Sequence, residues 1–476
     1  LWVETPVVRQ AAMIALAELA APGQAQVVNA VLACLEKCDP ETRVIAVATL
    51  QKVAVPDTAA VVQALLRCVQ DSGDDIREAA LVALAGLRHE RAGRLAPDSE
   101  GPCDVDPAAR CQAWGALVSR TGGEDVLGTI AACCRDTEAR VRRVAAAAVG
   151  RVARAGDAIA VRSLVLAVLD DDALVRQMAL MSLPQVARQG DWTVVSAVLD
   201  CLSDCSPRAN AKSFGSPRPR RVLSDSEQRD VGACALQALG AVAKKGHAAS
   251  RAVVLSHVRA GRDWRLRRAS LVALSSVGEA GDAEAMQCVC ECLDVGSGQG
   301  NPILREALSA LAVVSKRGDG VSSARIRAHV DSSDASVACA AIDALAKVCV
   351  KGAAEGFAVV AGLKRKDVGV LLACLAAMPQ ILKRGDEAAT AAVVACTRHG
   401  EARVQRSAWD ALGALAAKGD ALAICAAVSC LRDSENCGAL DVGTGISVRM
   451  SALGALSKVA AQGDAMAVHA VVVGLR

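Results

Sequence analysis

Large aromatic side chains are almost missing from this chain: 476 residues contain no tyrosine, two phenylalanines and five tryptophans. With 53% hydrophobic residues, the core has to be built from Ala, Val and Leu, small side chains that let helices pack closely. Long uncharged runs are missing as well. No window of about 18 residues is free of charge, which excludes an ordinary membrane-spanning helix and leaves no membrane partner to expect. Histidine is scarce, and the six residues His89, His247, His257, His329, His399 and His469 fall at unrelated positions, so no metal cluster follows from them. There is no phosphate loop of the Walker type and no nucleophile elbow. Neither a catalytic centre, a metal nor a cofactor is expected.

Cysteine is the exception to this poverty, with twenty residues. Cys288, Cys290 and Cys292 resemble a ligand set only in sequence, because on a helix the middle one points away and zinc sites use longer gaps. Seven others, Cys34, Cys68, Cys133, Cys201, Cys292, Cys396 and Cys430, hold one recurring slot that Ala167, Val258 or Gly362 fills elsewhere. The slot wants a small, mostly apolar side chain rather than a thiol. So many unpaired cysteines fit a reducing interior, cytoplasm or nucleus. No signal segment opens the chain at Leu1, and it stops at Arg476 inside the first helix of another unit, so both ends read as cuts in a longer protein.

What is present is a repeat. Leu-Pro-Gln-Val-Ala-Arg-Gln-Gly-Asp at Leu183 to Asp191 returns as Met-Pro-Gln-Ile-Leu-Lys-Arg-Gly-Asp at Met378 to Asp386. The apolar residue seven places before each such Gly, or its equivalent, gives thirteen anchors: Leu16, Leu50, Leu84, Leu117, Val149, Leu183, Leu239, Leu274, Leu311, Leu345, Met378, Leu412 and Leu456. Most are about 34 residues apart, the period of a stacked helix pair. In the unit from Asp386 to Gly419, Gly385 permits the left-handed turn that ends a helix, and Asp386 can cap the next one. Seven repeats carry this Gly-Asp pair. A first helix over Glu387 to Thr397 places Ala391, Val394 and Ala395 on one face. After a polar turn, a second helix over Val404 to Lys418 buries Val404, Ala408, Ala411, Leu412 and Leu415. Neither helix can bury its stripe alone, so pairs must stack on neighbours.

A further feature is an Asp in the turn with an Arg six residues on, as in Asp71 with Arg77, Asp136 with Arg142 and Asp170 with Arg176; Arg9, Arg43, Arg110, Arg267 and Arg449 hold the same Arg slot. This pattern resembles the HEAT-repeat family of the armadillo-like helical superfamily, over the whole chain. The resemblance implies an all-α fold, an α-solenoid in which stacked helix pairs form a right-handed superhelix. It also implies an Asp-Arg ladder between adjacent repeats. Ala338, Leu371 and Gln405 replace the Arg, so the ladder should weaken toward the C-terminal half.

Interruptions divide the array into six repeats over 1–204, an insert over 205–228 and seven repeats over 229–476. The insert, CSPRANAKSFGSPRPRRVLSDSEQ, is rich in Ser, Pro and Arg and reads as a mobile surface loop. A Gly-rich insert falls near 436–446, a smaller one at Gly296 to Pro302, and the Pro-rich, acidic stretch Ala96 to Pro107 takes the place of a first helix. Charge is uneven too. Residues 205–275 hold 14 Lys and Arg against 4 Asp and Glu, whereas the remainder holds 40 against 47.

The basic centre supplies the candidate partner-binding residues: Arg218, Arg220 and Arg221 in the insert, then Lys244, Lys245, Arg262, Trp264, Arg265, Arg267 and Arg268. Trp264 lies among arginines in a turn, whereas Trp114 and Trp409 fall at core positions three before their anchors. A ring flanked by guanidinium groups suits a stacked base or a peptide backbone. The plainer account is that Lys244 and Lys245 complement a helix C-terminus, as Lys316, Arg317, Lys383 and Arg384 would, and that Arg267 is a ladder residue. Ser206, Ser216 and Ser224 are candidate phosphorylation sites, two before prolines and one after Arg220 and Arg221.

Taken together, these features point to a non-catalytic interaction scaffold that binds a protein or peptide, acidic or phosphorylated, along a concave surface of second helices. The alternatives are nucleic-acid binding by the basic centre, and an enzyme or accessory subunit related to the HEAT-like lyases, for which only the repeat itself speaks. HEAT-like di-iron hydroxylases carry paired His-Glu steps, and here only His89-Glu90 is adjacent.

Overall fold

A computed structural model describes residues 5–54, 59–94, 126–205, 223–260, 263–295, 303–432 and 442–474. Among these residues there is no strand, and helices follow one another in pairs. The chain divides into two compact units, Leu1–Ser250 and Arg251–Arg476. In each, the expected all-α stack of helix pairs is what the chain forms. Second helices pack on second helices: Ala139–Val152 against Ala173–Val186 in one unit, and Ala335–Val348 against Val368–Ile381 in the other.

The anchors form the core. Leu50, Leu84, Leu183, Leu311 and Leu345 are wholly buried, and cutting such a leucine back to alanine costs about 2–5 kcal/mol. The recurring cysteine slot is core as well, since Cys34, Cys68, Cys133, Cys201, Cys292 and Cys396 are buried and only Cys430 is part-exposed. Trp409 is buried at its core position, whereas Trp114 lies outside the described residues. The second helix Ala402–Leu415 buries all five of its expected apolar positions. The first helix, Glu387–Cys396, does not follow its expected face: it buries Ala389, Thr390, Val393 and Cys396 and exposes Ala391 and Ala395. A helix that is apolar all round has no stripe to read.

The Gly-Asp pair works on both sides of the turn. Asp157, Asp191, Asp319 and Asp386 each accept hydrogen bonds from amides in the first turn of the helix that follows. The glycine before each has positive φ, for example 83° at Gly190 and 87° at Gly385, a conformation L side chains rarely adopt. Its amide reaches further than the sequence indicates. Gly156 donates to the carbonyl of Val186 at 2.6 Å, Gly190 to Val242 at 2.6 Å, Gly385 to Leu415 at 2.7 Å and Gly419 to Val459 at 2.7 Å. In each case the acceptor lies at the end of the next repeat's second helix, so a main-chain clasp joins neighbours. The Gly190 clasp closes across the Ser/Pro/Arg-rich insert, and the Gly419 clasp closes across the stretch before Val442.

The side-chain ladder is present in Leu1–Ser250. Arg43 Nη2 donates to Asp71, and Arg142 donates through Nε at 2.7 Å and Nη2 at 2.8 Å to the two oxygens of Asp170. The arginine also holds its own turn, as Arg142 Nη1 donates to the carbonyls of Asp136 at 2.9 Å and Thr137 at 3.0 Å. The rung after Arg43 runs from Arg77 to Asp136: Nη2 donates to Oδ1 at 2.9 Å and Nε lies 2.8 Å from Oδ2. Helix Asp74–Arg94 accordingly packs directly on Ala139–Val152, bringing the third repeat onto the fifth. The anchor Leu117 and the stretch Ala96 to Pro107 lie outside the described residues. In Arg251–Arg476 Arg267 and Arg449 keep the slot, but between them it holds Ala338, Leu371 and Gln405; Gln405 Nε2 donates to the His399 carbonyl at 2.6 Å and keeps only the within-turn half of the device.

Two expectations of irregular chain need correction. The insert was expected to run to Gln228, but a helix begins at Asp225. Ser224 Oγ accepts from the Glu227 amide while the Glu227 carboxylate accepts from the Ser224 amide, a reciprocal cap that starts a helix on its own. Likewise residues from Val442 onward, within the expected Gly-rich insert, open helix Val442–Val459.

Candidate functional site

Stacking buries most of each second helix and leaves one stripe outside. Its slots lie nine and two places before the anchor, seven residues or two turns apart. In Leu1–Ser250 they hold Val7 and Ile14 in the first repeat, exposed by 72% and 57%, and Leu174 and Met181 in the sixth, exposed by 49% and 59%. Val82 takes the second slot in the third repeat and is also exposed. These apolar side chains cover no core.

In Arg251–Arg476 the stripe is polar. The exception is Val272, in the second slot of helix Trp264–Val277, which also exposes Trp264, Arg265 and Arg268. Trp264 was expected in a turn; it is instead the first residue of this helix, because Asp263 caps it by accepting from the Arg265 amide at 2.7 Å. The Arg265 guanidinium carbon lies 5.7 Å from the Trp264 ring centroid, a cation-π contact at the exposed end of the range.

Arg268 turns to the neighbouring second helix, Leu304–Val314. Its Nε donates to Glu306 Oε1 at 2.9 Å, and Arg305 Nη2 donates to the same oxygen at 2.8 Å. The Glu306 side chain is 8% exposed, against 44% for Arg268 and 54% for Arg305. Burial acts to raise the Glu306 pKa, but the hydrogen bonds and charges of the two guanidiniums prevail and hold it below the usual range. Its Oε2 is buried with no hydrogen-bond partner. Beside this group a cleft of about 460 Å³ runs to helix Ala335–Val348, lined by Arg305, Glu306, Ser309, Ser336, Asp343 and Lys347 among others. Burial pushes the Asp343 carboxyl up, opposed by the charge of Lys347 one turn away.

The remaining candidates fall as follows. Arg218, Arg220, Arg221, Arg262, Ser206 and Ser216 lie outside the described residues. Lys244 lies with its stem across Gly190, where a Cβ would come within 2.3 Å of its Cε. Arg188 covers Gly156 in the same way, as Lys316 covers Gly281 and Lys383 covers Gly352, so this basic slot belongs to the repeat. Lys245 beside it is exposed. Arg267 is part-buried, with an Nε that has no hydrogen-bond partner. Ser224 is the helix cap described above. Sequence reasoning missed Glu306 and Arg305, although a signal existed: the Glu306 slot, five before the anchor, holds Ala11, Ala79, Ala269, Ala340 and Ala373 elsewhere.

Residues 4–85 match the family model for HEAT repeats. That segment is built from HEAT repeats, and the later helix pairs follow the same plan. None of the curated proteins matches its sequence. Among solved structures, it is similar to Kap121p at 12% identity and a TM-score of 0.47, covering 96% of this chain and 48% of that one. The karyopherin Kap121p bound to the SUMO protease Ulp1p gives 12% identity, a TM-score of 0.49 and the same coverage. An engineered protein gives 18% identity, a TM-score of 0.34 and 96% coverage of both chains. The chain thus spans about half the length of the Kap121p chains it matches. Among the described residues, no helix is long and apolar enough to cross a membrane, and no group of three or more His, Cys, Asp or Glu could hold a metal ion.

Proposed function

We propose that these HEAT repeats form a non-catalytic scaffold that holds a protein or peptide partner along the exposed stripe of its second helices. One observation carries the reading: the same two slots hold exposed apolar pairs in separate repeats, Val7 with Ile14 and Leu174 with Met181. Scattered apolar residues on a surface need no explanation, but a pair recurring in register marks a surface that something covers. A reducing interior, cytoplasm or nucleus, suits the free and mostly buried thiols. The test places a photo-crosslinking residue at Met181 and, separately, at Arg162 on a first helix. A partner crosslinked from Met181 alone, and lost on Leu174→Glu, supports the stripe; equal yields from both positions refute it.

Nucleic-acid binding is the second reading, favoured by Trp264, which is 48% exposed with the Arg265 guanidinium beside its ring. Titration with a duplex and a single strand at low and moderate salt, repeated with Arg265, Arg267 and Arg268 changed to Glu, decides it. Absence of binding at low salt removes it.

A further inference from the structure

We propose that Arg268 and Arg305 form a binding site for a phosphate monoester carried on a partner peptide, with Glu306 as the positioning residue. The proposal rests on the scaffold reading and specifies a partner chemistry for the second unit.

The argument starts from the departure of Glu306 from its repeat. A carboxylate stands in a slot that no other repeat gives to a charged residue, and it is 8% exposed. Burying that charge is unfavourable, and stacking does not require it, since Ala269 and Ala340 fill the slot in the flanking second helices. What the carboxylate does accomplish is geometric. It draws a guanidinium from its own helix and one from the preceding second helix onto a single oxygen, at 2.8 and 2.9 Å. Each guanidinium has five N–H donors in a rigid fork, and this shared contact engages one nitrogen of each. Both arginines remain about half exposed, and both are tied to the same oxygen. Two planar forks held this way match the oxygens of a phosphate dianion.

The surrounding charge supports an anion. Two guanidiniums thus meet one carboxylate at Glu306, which leaves the group net positive. Asp334 also contributes to the field at Arg305, but its carboxylate is engaged in capping helix Ala335–Val348. Asp343, further along the cleft, is opposed by Lys347. Ser309 and Ser336 line the cleft and offer neutral donors. The exposed slot two before the anchor is acidic in later repeats, at Asp343 and Asp410. A polyanionic strand would have to cross those acids. One phosphate on an otherwise mixed peptide would not.

The experiment measures fluorescence anisotropy of the full chain with a labelled pool of short mixed-sequence peptides bearing a central phosphoserine, beside the unphosphorylated pool. The phosphorylated pool should bind on the order of tenfold more tightly. Arg268→Gln and Arg305→Gln, both at exposed side chains, should each remove that preference, while Arg406→Gln on a later second helix leaves it. Glu306→Gln separates placement from charge. It makes the site more positive, so simple attraction predicts tighter binding, whereas loss of the pinning predicts weaker binding. Circular dichroism of each variant confirms the fold. Equal affinity for the two pools, a preference indifferent to both arginines, or tighter binding by Glu306→Gln overturns the proposal. So does a single-stranded oligonucleotide that outcompetes the phosphorylated pool and depends on the same arginines. Because Met181 lies in the other unit, its crosslinking yield reports on the scaffold reading separately.

Discussion

The rung from Arg77 to Asp136 joins residues 59 apart in sequence and makes the third and fifth repeats neighbours. A double-mutant cycle tests it directly: Arg77→Met, Asp136→Asn and the pair. Each side chain is 12% exposed, so solvent screens the charges little, and removing one partner leaves the other buried. Breaking a pair of this kind costs about 3 kcal/mol, and most of that should reappear as coupling, about 2 kcal/mol. The exposed pair Lys52 with Glu18, at 58% and 68%, serves as control and should give less than about 1 kcal/mol. Repeat arrays often do not unfold in one step, so the assay is hydrogen exchange of amides in helix Ala139–Val152, which reports local opening. Coupling indistinguishable from zero would refute the direct stacking.

The same cycle has a pH signature. Burial acts to raise the Asp136 pKa, but the Arg77 guanidinium and the Glu138 amide hold it below the ordinary aspartate value. A carboxyl with a depressed folded pKa contributes its full stabilisation above the unfolded value of about 4 and loses it as pH falls through the folded one. Wild-type exchange should therefore approach that of Arg77→Met in acid and diverge from it toward neutrality.

Three further outcomes are expected. Gly190→Ala should destabilise by more than Gly419→Ala: both glycines have positive φ, at about 1–2 kcal/mol of strain, but only the Gly190 Cβ meets a neighbour, Lys244. Thermal melts should show part of the difference recovered by Lys244→Ala. Ser224→Ala should cost about 1 kcal/mol and speed amide exchange only in the first turn of helix Asp225–Val242. In iodoacetamide labelling at mildly alkaline pH, exposed Cys425 should react ahead of Cys134 and Cys374, because burial pushes both of the latter thiols up to about 12. Early labelling of Cys374 in the folded chain would contradict its burial.

The repeat was legible because its signals are local. Glycine, the capping aspartate and the apolar anchor each answer a requirement of a single helix pair. The first-helix face at Glu387–Cys396 was not legible, since Ala, Val and Cys surround that helix. Trp264 was assigned to a turn by its arginine neighbours, although Asp263 stands as Asp172 and Asp334 do, one place before a second helix. The direct contact of the third and fifth repeats could not be counted from anchors, which record how many units the sequence contains and not which of them touch. The main-chain clasps leave no side-chain trace at the accepting end. At the candidate site, the exposed arginines were visible as charge, but the buried acid that two of them meet was visible only as the one charged letter in a slot that is uncharged in every other repeat.

The clasp from glycine to the next repeat's helix end has a bearing on how such a chain can change over time. It is made by an amide and a carbonyl, which every residue but proline supplies in full, so the junction places no demand on the identity of the accepting residue. Material can enter between the two helices of a repeat, as it does between Cys205 and Leu223, while the amide of Gly190 still finds the carbonyl of Val242. The joint tolerates novelty on either side of it. Selection is thereby free to rewrite the outward face one repeat at a time without renegotiating the assembly beneath.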